Sequence, residues 1–324
     1  MTAVDVERLL TLESLIPAIE AAHREHALGG ASAPAPLMLS SASTDTHVLA
    51  MAASSAHLGR SVVKTMTDTP SNVTRGISTQ RSTILLLDDA EGTPLALVDG
   101  VSVTRLRTAA TSAVATSLLA RAGARTLTLL GAGALAPLHA RAICLVRDID
   151  RITIWNRGRE RAEALADALR RDGRDVRVAE TPEAAVRDGD VICTLTPSAD
   201  PVLAGRWLSP GQHLNVVGAP PRADHREVDG VAMSRSRVVV DSVANTMAKS
   251  GDALLALAEG AIHQESLTTE LGEVAAGLKP GRRSADDITL FNSLGMGLQD
   301  LAATDLLYRE ATRDSSLPRL ALRA

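Results

Sequence analysis

The feature that most constrains this chain is the run Gly131-Ala132-Gly133-Ala134-Leu135-Ala136. It lies between the apolar run Leu127-Thr128-Leu129-Leu130 and a segment in which Leu135, Leu138, Ala142, Leu145 and Val146 recur at helical spacing. Strand, glycine turn and helix in that order open a dinucleotide-binding βαβ unit. Gly131 allows the tight turn, Gly133 lets the backbone approach a pyrophosphate, and Ala136 permits close packing of helix on strand. The helix start offers unpaired N–H groups and a positive dipole end to phosphates, which adds Ala134 and Leu135 to the candidate contacts. A glycine turn with no ligand is the competing reading, and the elements on both sides of the motif weigh against it.

The end of the next strand refines the ligand. Sites that prefer NAD place an Asp or Glu there, roughly twenty residues on, to bond the ribose 2′-hydroxyl. This chain has Ile154-Trp155-Asn156-Arg157, with Arg159 close behind. A neutral Asn156 removes the carboxylate that would repel a 2′-phosphate, and a guanidinium pairs with that phosphate through two parallel bonds. Alternatively, Arg157 and Arg159 are solvated charges at the start of a helix. The expectation is NADP(H) rather than NAD(H).

Strand-like and helical segments alternate from residue 126 to residue 240, which predicts a parallel, doubly wound sheet. Ligands in such sheets bind beyond the carboxyl ends of the strands. Cys193-Thr194-Leu195-Thr196 and Asn215-Val216-Val217-Gly218 fall there, so Thr194, Thr196, Val217 and Gly218 are expected to line the cofactor crevice. The first hundred residues differ in texture: an amphipathic helix over residues 12–27, a proline-containing loop over 29–36, then strand-like runs at 48–51, 61–66 and 83–87. They predict an antiparallel or mixed sheet with one or two helices. A small-residue helix is expected over 108–121 with Gly123 as its C-cap, and residues 287–307 look helical. At 324 residues two domains are the default.

Composition removes several function classes. A net charge of -4 gives no electrostatic footprint for nucleic acid, and 1% aromatic residues leave almost nothing for stacking bases. No apolar run approaches the ~20 residues needed to span a bilayer. The first residues lack a basic and then apolar leader, so a cytoplasmic protein is expected. Cys144 and Cys193 sit in apolar runs and read as small hydrophobes. His23 and His26 are expected on the exposed face of the first helix. His139 follows the glycine turn, and no metal-ligand spacing appears.

Two residues stand out in the first domain. Lys64 interrupts the β-like run Ser61-Val62-Val63-Lys64-Thr65-Met66, where a cation is costly unless paired or snorkelling. Arg107 stands at the start of an otherwise small, apolar helix. By residue type alone, each reads as a structural charge before it reads as a functional one.

The sequence resembles the ornithine cyclodeaminase/mu-crystallin family over nearly its whole length. The blocks that carry the likeness are Val63-Lys64, Pro70-Ser71-Asn72, Pro94-Leu95-Ala96-Leu97-Val98-Asp99-Gly100, Arg107-Thr108-Ala109-Ala110, the glycine turn, Trp155-Asn156-Arg157, Val240-Asp241-Ser242, Glu270-Leu271-Gly272-Glu273 and Phe291-Asn292-Ser293-Leu294-Gly295. The resemblance implies a Rossmann-type α/β domain (108–291) inserted in an α+β substrate-binding and dimerisation domain (1–107 and 292–324) of a homodimer. It further implies that Lys64 contacts the reacting carbonyl or imine region and that Arg107 holds a substrate carboxylate. Members include cyclodeaminases, alanine and opine-type dehydrogenases and ketimine reductases.

Two departures bear on the chemistry. Cyclodeaminases carry an Asp where this chain has Pro220, and Asp224 replaces it only if the loop refolds. The missing acid favours a ketimine or cyclic imine reductase, which needs only a hydride and a proton. A cyclodeaminase or an amino-acid dehydrogenase is the nearest rival, and a non-catalytic NADP-dependent binding protein a further one. The second carboxylate-binding arginine of the family is absent around Ala33-Pro34-Ala35-Pro36-Leu37. Arg81 either projects into the substrate cavity in its place or points outward. Asn72 and Pro220 complete the candidate substrate residues.

Overall fold

The computed structural model describes residues 1–318. In chain order its elements are α1 (Ala3–Leu9), α2 (Leu12–Ala27), β1 (Ala31–Ser32), β2 (Leu37–Ser40), β3 (His47–Ser55), β4 (Arg60–Asp68), β5 (Gln80–Asp88), β6 (Pro94–Asp99) and α3 (Gly100–Leu119). There follow β7 (Thr126–Leu130), α4 (Ala136–Val146), β8 (Arg151–Trp155), α5 (Arg159–Arg171), β9 (Asp175–Val178), α6 (Pro182–Asp188), β10 (Val191–Thr194) and β11 (His213–Val216). The last are α7 (Gly230–Arg235), β12 (Arg237–Val240), α8 (Val243–Lys249), α9 (Gly251–Ala258), α10 (Leu271–Ala275), β13 (Thr289–Asn292) and α11 (Gly297–Arg313). Two compact units result: Met1–Arg107 with the described residues from Met296 onward, and Thr108–Gly295.

The first unit is an antiparallel sheet in the order β1-β3-β4-β5-β6, with β2 also paired to β3. Period-two alternation places Leu49, Met51, Val62, Lys64, Ile84 and Leu86 on one buried face, against which α11 packs. Leu15 and Ile19 of α2 join this core. The opposite face carries Leu37, Val63 and Leu97, all exposed.

The second unit is a seven-stranded parallel sheet in the order β12-β13-β11-β10-β7-β8-β9. Its central strands β7, β10 and β11 are buried almost throughout because both faces are covered, whereas the edge strand β9 carries the exposed Asp175 and Arg177. Strand order reverses between β7 and β10, which is the switch point where doubly wound sheets hold ligands.

Several boundaries differ from the expectation. The helix expected from residue 108 already starts at Gly100, because Asp99 Oδ1 accepts the Ser102 N–H at 2.9 Å and caps it. Arg107 therefore lies inside α3 and not at its start. That helix stops at Leu119, and Gly123 does not adopt the left-handed conformation of an αL cap. The single helix expected over 287–307 divides into β13, buried on both faces, and α11, with Gly295 at φ +85° between them. A short run buried all round has no periodicity that separates strand from helix. His23 is buried rather than on an exposed face, since α2 is covered on the side that carries it. Among the described residues no helix is long and apolar enough to cross a membrane. Nor, among them, does any group of three or more His, Cys, Asp or Glu side chains suit a metal ion. Both cysteines are free, and burial pushes the Cys193 thiol up to about 12.

Candidate active site

Lys64 lies on the apolar face of β4, with Met51 and Ile84 as its cross-strand neighbours. Its Nζ donates to Thr104 Oγ1 at 2.6 Å and to Asp300 Oδ1 at 3.0 Å. The Thr104 hydroxyl donates its proton to the Gly100 carbonyl at 2.5 Å, and its oxygen accepts from the lysine. One helical turn on, Arg107 Nε stands 3.4 Å from the same Asp300 oxygen, and its Nη1 donates to Gln299 Oε1 at 2.7 Å. The Gln299 amide then faces His23 Nε2 at 3.1 Å. Burial lowers the His23 pKa to about 3, so the ring is neutral and accepts.

This cluster places two cations on one carboxylate. Burial lowers the Lys64 pKa most; Asp300 opposes that shift and the neighbouring Arg107 reinforces it. Asp300 Oδ2 has no hydrogen-bond partner among the described residues, which leaves a buried acceptor beside both cations. An ammonium of reduced basicity next to a guanidinium can deliver a proton and anchor a carboxylate.

The glycine turn of the second unit lies between β7 and α4, at the carboxyl end of β7. Gly131 has φ +119°, and a Cβ there would stand 2.8 Å from the Leu195 carbonyl oxygen, so only glycine fits. At Gly133 the backbone is not left-handed, and a Cβ would meet nothing within 4 Å. Neither conformation nor neighbours require glycine at that position. The Ala132 N–H donates to Asn156 Oδ1 at 3.1 Å, tying the turn to the end of β8. Ala134 and Leu135 lead directly into α4. These features fit a nicotinamide dinucleotide.

Arg157 and Arg159 part company. Arg159 is engaged by Glu180 at 2.6 Å and Glu163 at 3.1 Å, whereas Arg157 is exposed, with no hydrogen bond or ion pair to any described residue. Thr194 is wholly buried and donates its hydroxyl to Glu227 Oε2 at 2.9 Å, so its side chain supports the crevice and is not exposed in it. Thr196 and the Gly218 N–H also point to Glu227. Val217 is half-buried, with its N–H on the Thr194 carbonyl.

None of the three substrate candidates has a hydrogen bond to the Lys64 cluster among the described residues. Arg81 opposes Thr67 on the outer face of the first sheet and is exposed, because odd residues of β5 face away from the side that holds Lys64. Asn72 braces its own turn by donating to the Ser78 carbonyl at 3.0 Å. Pro220 begins a loop in which Asp224 is exposed and paired with His225 at 2.8 Å. Asp300, Gln299, His23 and Glu227 were not singled out from the sequence. A buried acid on a helix has no local signature, although the run Gln299-Asp300 within the apolar stretch of α11 was the available hint.

A doubly wound sheet with a glycine turn at its switch point, and a separate unit with a buried lysine–arginine pair, define a nicotinamide-dependent oxidoreductase. A profile of the ornithine cyclodeaminase/mu-crystallin family matches residues 1–315. The chain belongs to that family. It is 36% identical over 312 residues to ketimine reductase mu-crystallin of Mus musculus, covering 95% of this chain and 96% of the relative. Among solved structures it resembles Δ1-pyrroline-2-carboxylate reductase of Thermococcus litoralis in complex with NADH and L-proline, with a TM-score of 0.92, 30% identity and 97% of each chain covered. An archaeal alanine dehydrogenase dimer with bound NAD gives a TM-score of 0.91 and 30% identity, over 97% of this chain and 95% of that one.

Proposed function

We propose that this protein reduces the C=N bond of a small imine that carries a carboxylate, with NADPH as the preferred cofactor. The observation that carries the reading is the buried contact of Lys64 and Arg107 with one carboxylate, Asp300. The relatives named above, a ketimine reductase and a pyrroline-2-carboxylate reductase, support the same substrate class. The bound cofactor supplies the hydride. Lys64 holds a proton at Nζ and gives it to the imine nitrogen, while Asp300 keeps that ammonium charged in a buried place. Arg107, braced by Gln299, orients the substrate carboxylate. The turn from Gly131 to Leu135 binds the pyrophosphate, and the unengaged guanidinium of Arg157 takes the 2′-phosphate.

Incubation of the protein with a panel of cyclic imine carboxylates, following NADPH consumption, tests the reading. Lys64→Ala is expected to lower turnover by roughly 10²-fold or more with NADPH affinity unchanged. Full turnover in that variant would overturn the assignment. A cyclodeaminase would release ammonia from ornithine or lysine; the proline at position 220, and the solvent-facing Asp224, favour its absence. Alanine-dependent NAD(P) reduction would instead favour the amino-acid dehydrogenase that the alanine dehydrogenase likeness brings to mind.

We further infer a homodimer in the cytoplasm. The exposed Leu37, Val63 and Leu97 on the outer sheet face form an apolar surface of the kind that marks association, and the alanine dehydrogenase relative is a dimer.

A further inference from the structure

Glu227 is wholly buried, yet nothing in the proposed chemistry uses it. Its carboxylate collects five hydrogen bonds. Oε1 accepts from the Thr196 N–H at 2.6 Å and the Thr196 hydroxyl at 2.8 Å. Oε2 accepts from the Thr194 hydroxyl at 2.9 Å, the Gly218 N–H at 2.6 Å and the Ala219 N–H at 3.2 Å. These donors come from two segments only, the chain leaving β10 and the chain leaving β11. Both leave the carboxyl edge of the sheet, next to the switch point at β7 and β10. The two segments are already in close contact, since a Cβ on Gly218 would stand 2.2 Å from the Thr196 nitrogen.

The backbone of Glu227 is fixed as firmly as its side chain. Asp252 Oδ1 accepts the Glu227 and Val228 N–H groups at 2.8 and 3.0 Å, and the Glu227 carbonyl accepts from Val202 and Leu203. Glu227 ends the loop that starts at Pro220, and its carboxylate bonds to Gly218 and Ala219, just before that loop. One side chain thus closes the neck of the loop and fastens it to the end of β10. Burial and the nearby Asp252 raise the Glu227 pKa to about 7, and the bonds from Thr194 and Thr196 pull it back down. Three of the five donors are main-chain N–H groups, which cannot turn round to accept, so both carboxyl oxygens serve here as acceptors.

We propose that Glu227 is a positioning residue for the cofactor: its carboxylate holds the segments after β10 and β11 in the one arrangement that gives the crevice its shape. The inference rests on this crevice being the dinucleotide site. Glutamine has the same shape but must direct an NH2 group at main-chain N–H donors, whichever way its amide is turned. A buried donor left unsatisfied costs ~1–3 kcal/mol, which is roughly a five- to hundredfold change in an equilibrium constant.

The test measures NADPH binding by titration calorimetry, thermal melting and steady-state kinetics on wild-type protein, Glu227→Gln and Thr194→Val. Glu227→Gln is expected to raise the NADPH Kd and KM by roughly tenfold or more, with kcat at saturating cofactor changed far less. Thr194→Val removes one of the five donors and leaves the carboxylate in place, so a smaller rise in Kd is expected in a protein that melts cooperatively. A folded Glu227→Gln that binds NADPH as the wild type does would overturn the proposal. If Glu227→Gln does not fold, an unchanged Kd in Thr194→Val overturns it in the same way. A loss of kcat with no change in cofactor KM would also defeat it. A wild-type protein that binds neither NADPH nor NADH would instead refute the reading of the crevice, which separates the two failures.

Discussion

Lys64 Nζ and Asp300 Oδ1 stand 3.0 Å apart with both side chains buried, although 236 residues separate them in the chain. The pair explains how an ammonium persists on the apolar side of a sheet. Burial drives the lysine towards its neutral form, and the carboxylate opposes this. Removal of Asp300 leaves Lys64 and Arg107 as neighbouring cations with no anion between them. Lys64 then loses its proton more readily. A proton donor fails as pH rises through its pKa, so Asp300→Asn should move the alkaline limb of the kcat/KM profile to lower pH. Turnover at neutral pH should fall by roughly 10²-fold. An alkaline limb that stays in place would show that Asp300 does not tune Lys64.

Gly133 separates a requirement of the ligand from a requirement of the fold. A side chain there meets no protein atom within 4 Å and needs no left-handed backbone. Gly133→Val should therefore melt close to wild type, while its NADPH Kd, measured by calorimetry, rises by at least roughly tenfold. Equal binding in the two proteins would remove the turn from the cofactor site.

Arg157 and Arg159 should behave differently on replacement. Arg159 is held by two glutamates, and Arg157 by none. Loss of a charge-assisted bond costs ~1.5–3 kcal/mol. Arg157→Ala should accordingly raise the KM for NADPH about ten- to hundredfold and leave that for NADH nearly unchanged. Arg159→Ala should alter the ratio of the two much less. A wild-type KM for NADH at or below that for NADPH would contradict the cofactor preference.

The outer sheet face gives a prediction about assembly. Leu97 is 62% exposed in the single chain and opposes Leu85 across the β5–β6 pair. Light scattering should find a dimer of the wild-type protein and a monomer of Leu97→Asp. A wild-type monomer at micromolar concentration would refute the inferred dimer.

Three buried histidines make stability depend on pH. Burial lowers the pKa of His23 and His213 to about 3 and that of His139 to about 4, from an ordinary 6.5. The unfolded chain binds protons that the native chain does not, so this stability is complete above 6.5 and is lost as pH falls towards those values. Glu227, raised to about 7, acts in the opposite sense, stabilising at low pH and ceasing to do so as pH rises through 7. The buried Asp252, also raised by burial, acts in the same sense as Glu227, so three histidines stand against two acids, at roughly 1.4 kcal/mol per pH unit for each histidine. The urea midpoint should fall between pH 7 and pH 5.5, a window in which the carboxylates of lowered pKa do not titrate. A midpoint that rises on acidification would show that these histidines are not buried in their neutral form.

The parallel sheet and its glycine turn were legible in the sequence because their signals are local. A strand, a φ-permissive glycine and a helix with periodic apolar residues fall within twenty-one positions, from Thr126 to Val146. The start of α3 was also written locally, in the capping Asp99, but the small-residue texture further along masked it. By contrast, β13 and α11 could not be divided by periodicity, because β13 and the first half of α11 are buried all round.

The sequence by itself determined which chemistry-bearing residues the chain has: a lysine inside an apolar strand, an arginine beside a small, apolar helical run, and an asparagine and arginine where an acid would exclude a phosphate. Only the tertiary structure decided what surrounds them. Asp300 meets Lys64 because α11 returns to pack on β4, Gln299 and His23 brace Arg107, and Glu227 fastens two strand ends together. It also put Arg81 on the other side of the sheet from Lys64. A residue's type is encoded at its own position, whereas its pairing, burial and charge state depend on partners 9 to 276 positions away.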